Sequence, residues 1–292
     1  MITIFAPGGI GEVGPATDLP AEIVSAVAAD PAGPLRSGDI VVVTSKIISK
    51  VESRQRPATQ RDAAVEAESA RTVTRRGSTR IVRTRLGLTL AAAGVDNSNV
   101  ASDVVLLLPV DADASAARLR QALEGRTGTS LGVLISDTAG RAWRIGQTDQ
   151  AIGAAGVRVI ERYTGRRDPY GNELQVTAVA IADELAAAAD LAKSKLSNRP
   201  VAVIRGLAHH LSESEAHAAL LIRDESEDLF RYGSREAVIA AVLKATGQQD
   251  RYETTLRHDS PGDLVAAVVA GSGRTGTEAD LLRLILEAAL SS

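Results

Sequence analysis

Four short stretches bring together the oxygen and nitrogen donors that a phosphate and a divalent cation would share. Gly8, Gly9, Gly11 and Gly14 interleave with Pro7 and Pro15, and such glycines let backbone N–H groups approach an anion. Ser45, Lys46, Ser49 and Lys50 form SKIISK, where lysine can act as a point charge on phosphate. Asp96-Asn97-Ser98-Asn99 follows a glycine turn and offers the oxygen ligands that hard cations prefer. Asp137 and Thr138 close an apolar run, Leu131 to Ile135, so a strand would fix them beside an open loop. Each stretch alone has an ordinary reading as a turn, a helix start or a capped strand. Taken together they are the mixture that a metal-held triphosphate requires, because cations bridge the phosphate oxygens while N–H and ammonium groups hold the rest. No Ser–His–Asp arrangement is evident, so the residues point to phosphoryl transfer with the nucleophile supplied by substrate.

The elements that would position these groups alternate along the chain. Residues 2–5 read as a strand. Asp18 to Ala29 reads as a helix with Asp18 as its N-cap, and Asp39 to Thr44 as a buried strand. Helical spacing runs through residues 62–76, and strand pieces follow at 81–82 and 86–90. Val104 to Pro109 reads as a strand and 113–124 as an amphipathic helix. The strand from Leu131 breaks at Ser136-Asp137-Thr138, with a turn at Gly140. Val157 to Ile160 is strand-like, 176–195 is a long alanine-rich helix, and 200–205 is another buried strand. Residues 234–246 and 262–291 read as helices.

Composition removes several classes of function. The chain has no cysteine, which excludes disulfides, iron–sulfur clusters and a thiol nucleophile. Its formal net charge of −3 gives no electrostatic case for nucleic acid as a partner. The N-terminus lacks a signal-peptide pattern, and no apolar run reaches the ~18 residues that a spanning helix needs. The expectation is therefore a cytoplasmic protein with no membrane partner. With 7 aromatics among 292 residues, the core must be built from Val, Leu, Ile and Ala.

The segments VVVTSKIISK, AAGVDNSN, ISDTAGRAWRIGQTDQAIGAAG, RRDPYGNEL and PVAVIRG together closely resemble the coenzyme F420-0:L-glutamate ligases, and most of all the ligase half of the actinobacterial bifunctional enzyme. The resemblance covers roughly residues 1–230. It implies an α+β fold of two mixed-sheet subdomains flanked by helices and an intertwined homodimer; together with the helices read beyond residue 230, this gives a ligase domain over 1–245 and a helical C-terminal extension over 246–292. It implies GTP as co-substrate, coenzyme F420-0 and L-glutamate as substrates, two Mg2+ or Mn2+ ions per site, and K+. By motif, GTP falls to Ile10, Gly11, Glu12, Val13, Ser45, Lys50 and Asn99. Metal falls to Asp96, Asp137 and Thr138. The glycine loop reads Ile-Gly-Glu where the family has Leu-Pro-Glu. Where some family members carry an acidic ligand near the end of the long helix, this chain has AKSKL, which directs Lys193 or Lys195 to the nucleotide.

The reaction implied is addition of glutamate to F420-0 and extension of a γ-linked tail through an acyl phosphate, with no protein nucleophile. Arg141, Arg144 and Arg167 are candidates for the anionic substrate groups. Bifunctional relatives carry a flavin-binding domain after the ligase. This chain runs only 62 residues beyond Phe230, so no FMN is expected. The alternatives are a metal-dependent nucleotide phosphatase and a non-catalytic GTP-binding regulator.

Overall fold

The computed structural model describes every residue except Asn99, Asp259 and Ser292. In chain order the elements begin with β1 (Thr3–Phe5), α1 (Leu19–Ala29), β2 (Ile40–Thr44), α2 (Ser45–Val51), β3 (Gln55–Pro57) and α3 (Arg61–Glu68). Next come β4 (Ser69–Arg76), β5 (Thr79–Thr84), β6 (Thr89–Ala91), β7 (Val104–Leu106), α4 (Ala112–Thr127), β8 (Gly132–Arg141) and β9 (Arg144–Ala155). The chain continues through β10 (Glu161–Arg162), β11 (Ala178–Val179), α5 (Ile181–Lys193) and β12 (Val201–Arg205), and ends with α6 (Ser234–Ala245), α7 (Tyr252–Thr255), α8 (Pro261–Gly271) and α9 (Thr277–Leu290). Two compact units result: residues 1–67 with 94–223, and residues 68–93 with 224–292. The class is mixed α+β. Among the described residues no helix is long and apolar enough to cross a membrane.

The first unit is built on a five-stranded mixed sheet of order β1-β12-β2-β8-β9. β2 and β8 run parallel, with Ile40 opposite Gly132 and Thr44 opposite Ser136. The other pairings in this sheet are antiparallel. Both faces of the central strands are apolar, which is why β2 and β12 read as unbroken hydrophobic runs. Ile40, Val42, Leu134, Ala202 and Ile204 pack with Ala182, Leu185, Ala186 and Ala189 of α5. The alternate residues Val41, Val43, Val133, Ile135, Val201 and Val203 are also fully buried; strand geometry turns them to the other face. α4 packs against β8 and β9, and α1 packs against α4. Side-chain caps set the helix starts: Asp18 accepts from Ala21 N at 3.1 Å and Asp111 from Ala114 N at 2.9 Å. Asp113 then ties α4 to β9 by accepting from Ala154 N at 2.8 Å.

The second unit pairs a three-stranded antiparallel sheet, β4-β5-β6, with a helical cluster. Ile239, Leu243, Val265, Val268 and Leu286 form the cluster's core, together with Tyr252. The Tyr252 hydroxyl donates to Thr72 O at 3.1 Å, and Glu253 accepts from both Thr72 N and Thr72 Oγ1.

Several local expectations change. Helical spacing over 62–76 holds only to Glu68; Ser69–Arg76 is a strand paired with β5 across Gly77. The β-branched run Thr72-Val73-Thr74 favours the extended form once a partner strand is present. The strand from Leu131 does not break at Ser136. It continues to Arg141 and turns at Ala142-Trp143 into β9, so Gly140 lies inside a strand. The long helix starts at Ile181 rather than 176, and 262–291 divides into α8 and α9 around Ser272–Gly276. Val157 to Ile160 forms no strand, although Val157 makes a single bridge to Leu211.

Candidate active site

A cavity of about 750 Å³ opens in the first unit between the glycine loop, α2, the hairpin β8–β9 and the end of α5. Ile10 and Val13 are buried and anchor the loop, leaving Gly11 and Glu12 exposed at its tip. Gly9 sits at φ +90 with open space where a Cβ would be, a conformation that favours glycine and lets the loop backbone turn toward the cavity. α2 starts where β2 ends. Its residues Lys46 and Lys50, four apart and therefore on one helix face, both line the cavity.

Both of these lysines are already paired. Lys50 Nζ lies 2.5 Å from Glu12 Oε1. Lys46 Nζ lies 2.6 Å from Asp96 Oδ2 and also donates to Ser98. Ser98 in turn donates to both Asp96 oxygens, from its N–H at 2.9 Å and its hydroxyl at 2.7 Å. Burial works against the charged form of Asp96, but Lys46 and the two Ser98 donors outweigh it and hold the carboxyl below its ordinary range.

Successive residues of β8 project to opposite faces. Asp137 turns toward α2 and accepts from Ser45 Oγ at 2.7 Å. Thr138 turns to the other face and donates to Asp149 Oδ1 at 2.7 Å across the hairpin. Asp149 is enclosed, with Lys193 Nζ 2.8 Å from Oδ2. Burial would raise its carboxyl, yet the Lys193 charge and the Lys193, Thr138 and Ser136 donors bring it below the usual value. Asp137 goes the other way. Burial pushes it up to about 6, and the charges of Asp149 and Asp96 add to that push against Ser45 and Lys46. Asp190, on the cavity wall, is likewise raised by burial and by the charge of Asp149.

Among the described residues, no three carboxylates or histidines converge as a ready-made metal cage. The donors instead suit an ion that takes one or two carboxylates and completes its shell with phosphate oxygens and water, as Mg2+ does. The fit rests on the donor set, the Asp96 and Asp137 carboxylates and the Thr138 hydroxyl, which are oxygen ligands of the kind hard cations prefer.

Of the nucleotide candidates, Ile10, Gly11, Glu12, Val13 and Lys50 line the cavity, as do Thr138, Lys193 and Lys195. Ser45 and Asp137 are joined to each other, and Asp96 is reached through Lys46. Asn99 lies outside the described residues; its neighbours Val100 and Ala101 are on the cavity wall. Arg141 and Arg144 sit toward the turn of the β8–β9 hairpin, where Arg141 Nη2 donates to Ile145 O at 3.4 Å. Arg167 donates to Gly171 O at 2.8 Å in a separate turn. None of these three arginines is on the cavity wall. Trp143 is 81% exposed at the hairpin turn and is likewise not on that wall. Asp149, Asp190 and Arg199 also line the cavity, although no sequence motif marks them. Asp149 stands opposite Thr138 only because β9 folds back in that register, and nothing in the local pattern around Gln147–Gln150 signals it.

The sequence model of the family described as F420-0:Gamma-glutamyl ligase matches residues 9–206, a span that holds the glycine loop, both lysines of α2 and the whole β8–β9 hairpin. The chain belongs to this family. Individual relatives agree. A coenzyme F420:L-glutamate ligase of Methanothermobacter thermautotrophicus is 36% identical over 251 residues, covering 79% of this chain and 99% of the relative. One of Methanosarcina barkeri is 36% identical over 220 residues, 69% of this chain and 86% of the relative. One of Methanopyrus kandleri is 43% identical over 154 residues, 52% of this chain and 61% of the relative. The ligase family and the cavity thus point to the same part of the chain.

Proposed function

We propose that this family member joins L-glutamate to coenzyme F420-0 in a GTP-dependent reaction and extends a γ-linked glutamate tail. The observation that carries this reading is the cavity in which the glycine loop, Lys50 and Thr138 meet, with Asp96 paired to Lys46 on its wall and Asp137, next in sequence to Thr138, bonded to the buried Ser45. The substrate carboxylate attacks the γ-phosphorus of GTP, so a C–O–P link forms and GDP leaves. The glutamate amine then attacks the acyl carbon, and phosphate departs as the amide forms. The glycine loop offers N–H groups to the phosphates. Lys50 exchanges Glu12 for a phosphate oxygen, and Lys195 adds positive charge at the wall, where Lys193 is already held by Asp149. Asp96, Asp137 and Thr138 are the residues that would hold Mg2+ or Mn2+, two ions per site, which supply charge compensation on the phosphoryl oxygens.

The same reading assigns K+ as a stimulating ion and a cytoplasmic homodimer as the working form. The central test is mass spectrometry of F420-0 incubated with GTP and glutamate, where each added glutamate is counted directly. The Asp137→Ala variant should lose both glutamylation and coupled GDP release; near-normal turnover sinks the assignment of Asp137. GTP hydrolysis that ignores glutamate would favour a phosphatase, and GTP binding without any product a regulator.

A further inference from the structure

At the cavity wall four side chains close a network centred on Asp149, and three of them, Thr138, Asp149 and Lys193, line the cavity. Asp149 and Lys193 are 3% and 4% exposed, and Ser136 is fully buried. Lys193 Nζ donates to Asp149 Oδ2 at 2.8 Å and to Ser136 Oγ at 2.9 Å. Ser136 Oγ donates onward to the same Oδ2 at 2.8 Å. The other carboxylate oxygen, Oδ1, takes the Thr138 hydroxyl. Three separate elements, β8, β9 and the last turn of α5, each contribute to it. Burying such a pair is costly, and well-packed apolar residues often serve stability as well or better. Stability alone is therefore a weak account of it.

The hydroxyl of Thr138 has one proton and two lone pairs. With the proton committed to Asp149 Oδ1, the lone pairs are turned away from Asp149, and Thr138 itself lines the cavity. A hydroxyl without that acceptor can rotate and present its hydrogen to a cation instead. Ser136 is different: it donates to Asp149 and accepts from Lys193, so it is spent inside the network.

We infer that Asp149, clamped by Lys193, is a positioning residue that fixes the Thr138 hydroxyl as an acceptor aimed at a divalent cation. This rests on the reading above that Thr138 is a cation ligand. Asp149→Asn is the sharpest perturbation. Lys193 will hold the amide carbonyl where Oδ2 now sits, which places the NH2 against Thr138 Oγ1. The threonine oxygen must then accept, and its hydrogen turns toward the cavity.

Mn2+ alone serves as the probe, with free Mn2+ read by electron paramagnetic resonance and folding by thermal melting. Asp149→Asn should bind Mn2+ at least about tenfold more weakly, the usual scale for losing a hydrogen-bond partner of a metal-holding side chain. In a Thr138→Ala background the same change should cost nothing further, because Asp149 acts through Thr138. Asp149→Leu with Lys193→Met removes both charges and keeps the test open should the amide variant not fold; the same non-additivity is expected. A variant that binds Mn2+ within about twofold of the parent, or that loses equal affinity in both backgrounds, overturns the positioning role. A parent protein that does not bind Mn2+ overturns the cation reading itself, and the two failures are told apart by that control.

Discussion

Replacing Lys50 with Met should raise the dissociation constant for GTP roughly five- to thirtyfold, a figure that follows from how Lys50 is held. The substitution keeps an unbranched chain in the same slot, so cavity shape is largely retained. The Lys50 side chain is 8% exposed, whereas its partner Glu12 is 83% exposed. An ion pair with one partner in solvent contributes about 0–1 kcal/mol, so Glu12 is exchanged for a phosphate at small cost. A hydrogen bond to a charged group contributes about 1.5–3 kcal/mol. The difference leaves about 1–2 kcal/mol, and each 1.4 kcal/mol is about tenfold. Isothermal titration of GTP in the presence of Mg2+ measures it directly. The companion variant Glu12→Gln supplies the sign: it frees Lys50, so GTP binding should stay level or tighten by up to about fivefold. A Lys50→Met protein that binds GTP within about twofold of the parent would refute the role given to Lys50. So would a Glu12→Gln variant that weakens binding as much as Lys50→Met does.

Three further outcomes concern the frame that holds the site. Arg205 clamps the buried Asp39 with two bonds of 2.8 and 2.7 Å and also reaches Ala32 O and Pro34 O; Arg205→Ala strands that charge, and a loss of about 3 kcal/mol or more should lower the melting midpoint by roughly 6 °C or more. A Cβ on Gly153 would lie 2.3 Å from Ala112 O, so Gly153→Ala must push β9 from α4 and should cost about 1–3 kcal/mol in a denaturant titration. Asp183 is raised above its ordinary 3.8 by burial, only partly offset by the Ala151 N–H. Its folded form therefore holds its proton longer than the unfolded chain, and stability falls as pH rises from the unfolded value through the folded one. Asp183→Asn keeps an acceptor for Ala151 and should gain on the parent above that window, with the gap closing as pH drops below it; a gap that does not change with pH in melting scans contradicts this.

The cavity was largely legible in its parts. Ile10 to Val13, Lys50, Thr138, Lys193 and Lys195 all line it; the glycine loop, Lys50 and Thr138 stand out by local pattern, whereas Ile10, Val13, Lys193 and Lys195 come from the family resemblance. The three arginines illustrate the limit. A guanidinium suits an anion wherever it stands, and nothing in Arg141, Arg144 or Arg167 tells which way its backbone points. The hairpin illustrates the same limit for strands. Gly140 and the polar run after Ile135 look like a turn, yet the backbone of Ser136 to Arg141 is satisfied by β9, which supplies the partner that local pattern cannot see.

What the sequence determined by itself was the chemistry: a cysteine-free chain, apolar strands that end in oxygen and ammonium donors, and motifs shared with a ligase family. Periodicity and side-chain type are local properties, and they survive without a fold. What only the tertiary structure decided was company. Asp149 is an unremarked residue in a polar run until register sets it opposite Thr138 and α5 brings Lys193 down upon it. Lys46 is one of two similar lysines until Asp96, 50 positions away by number, closes on it at 2.6 Å. Such pairings depend on strand register and helix packing, whose energies are summed over the whole unit, so no short window of residues contains them.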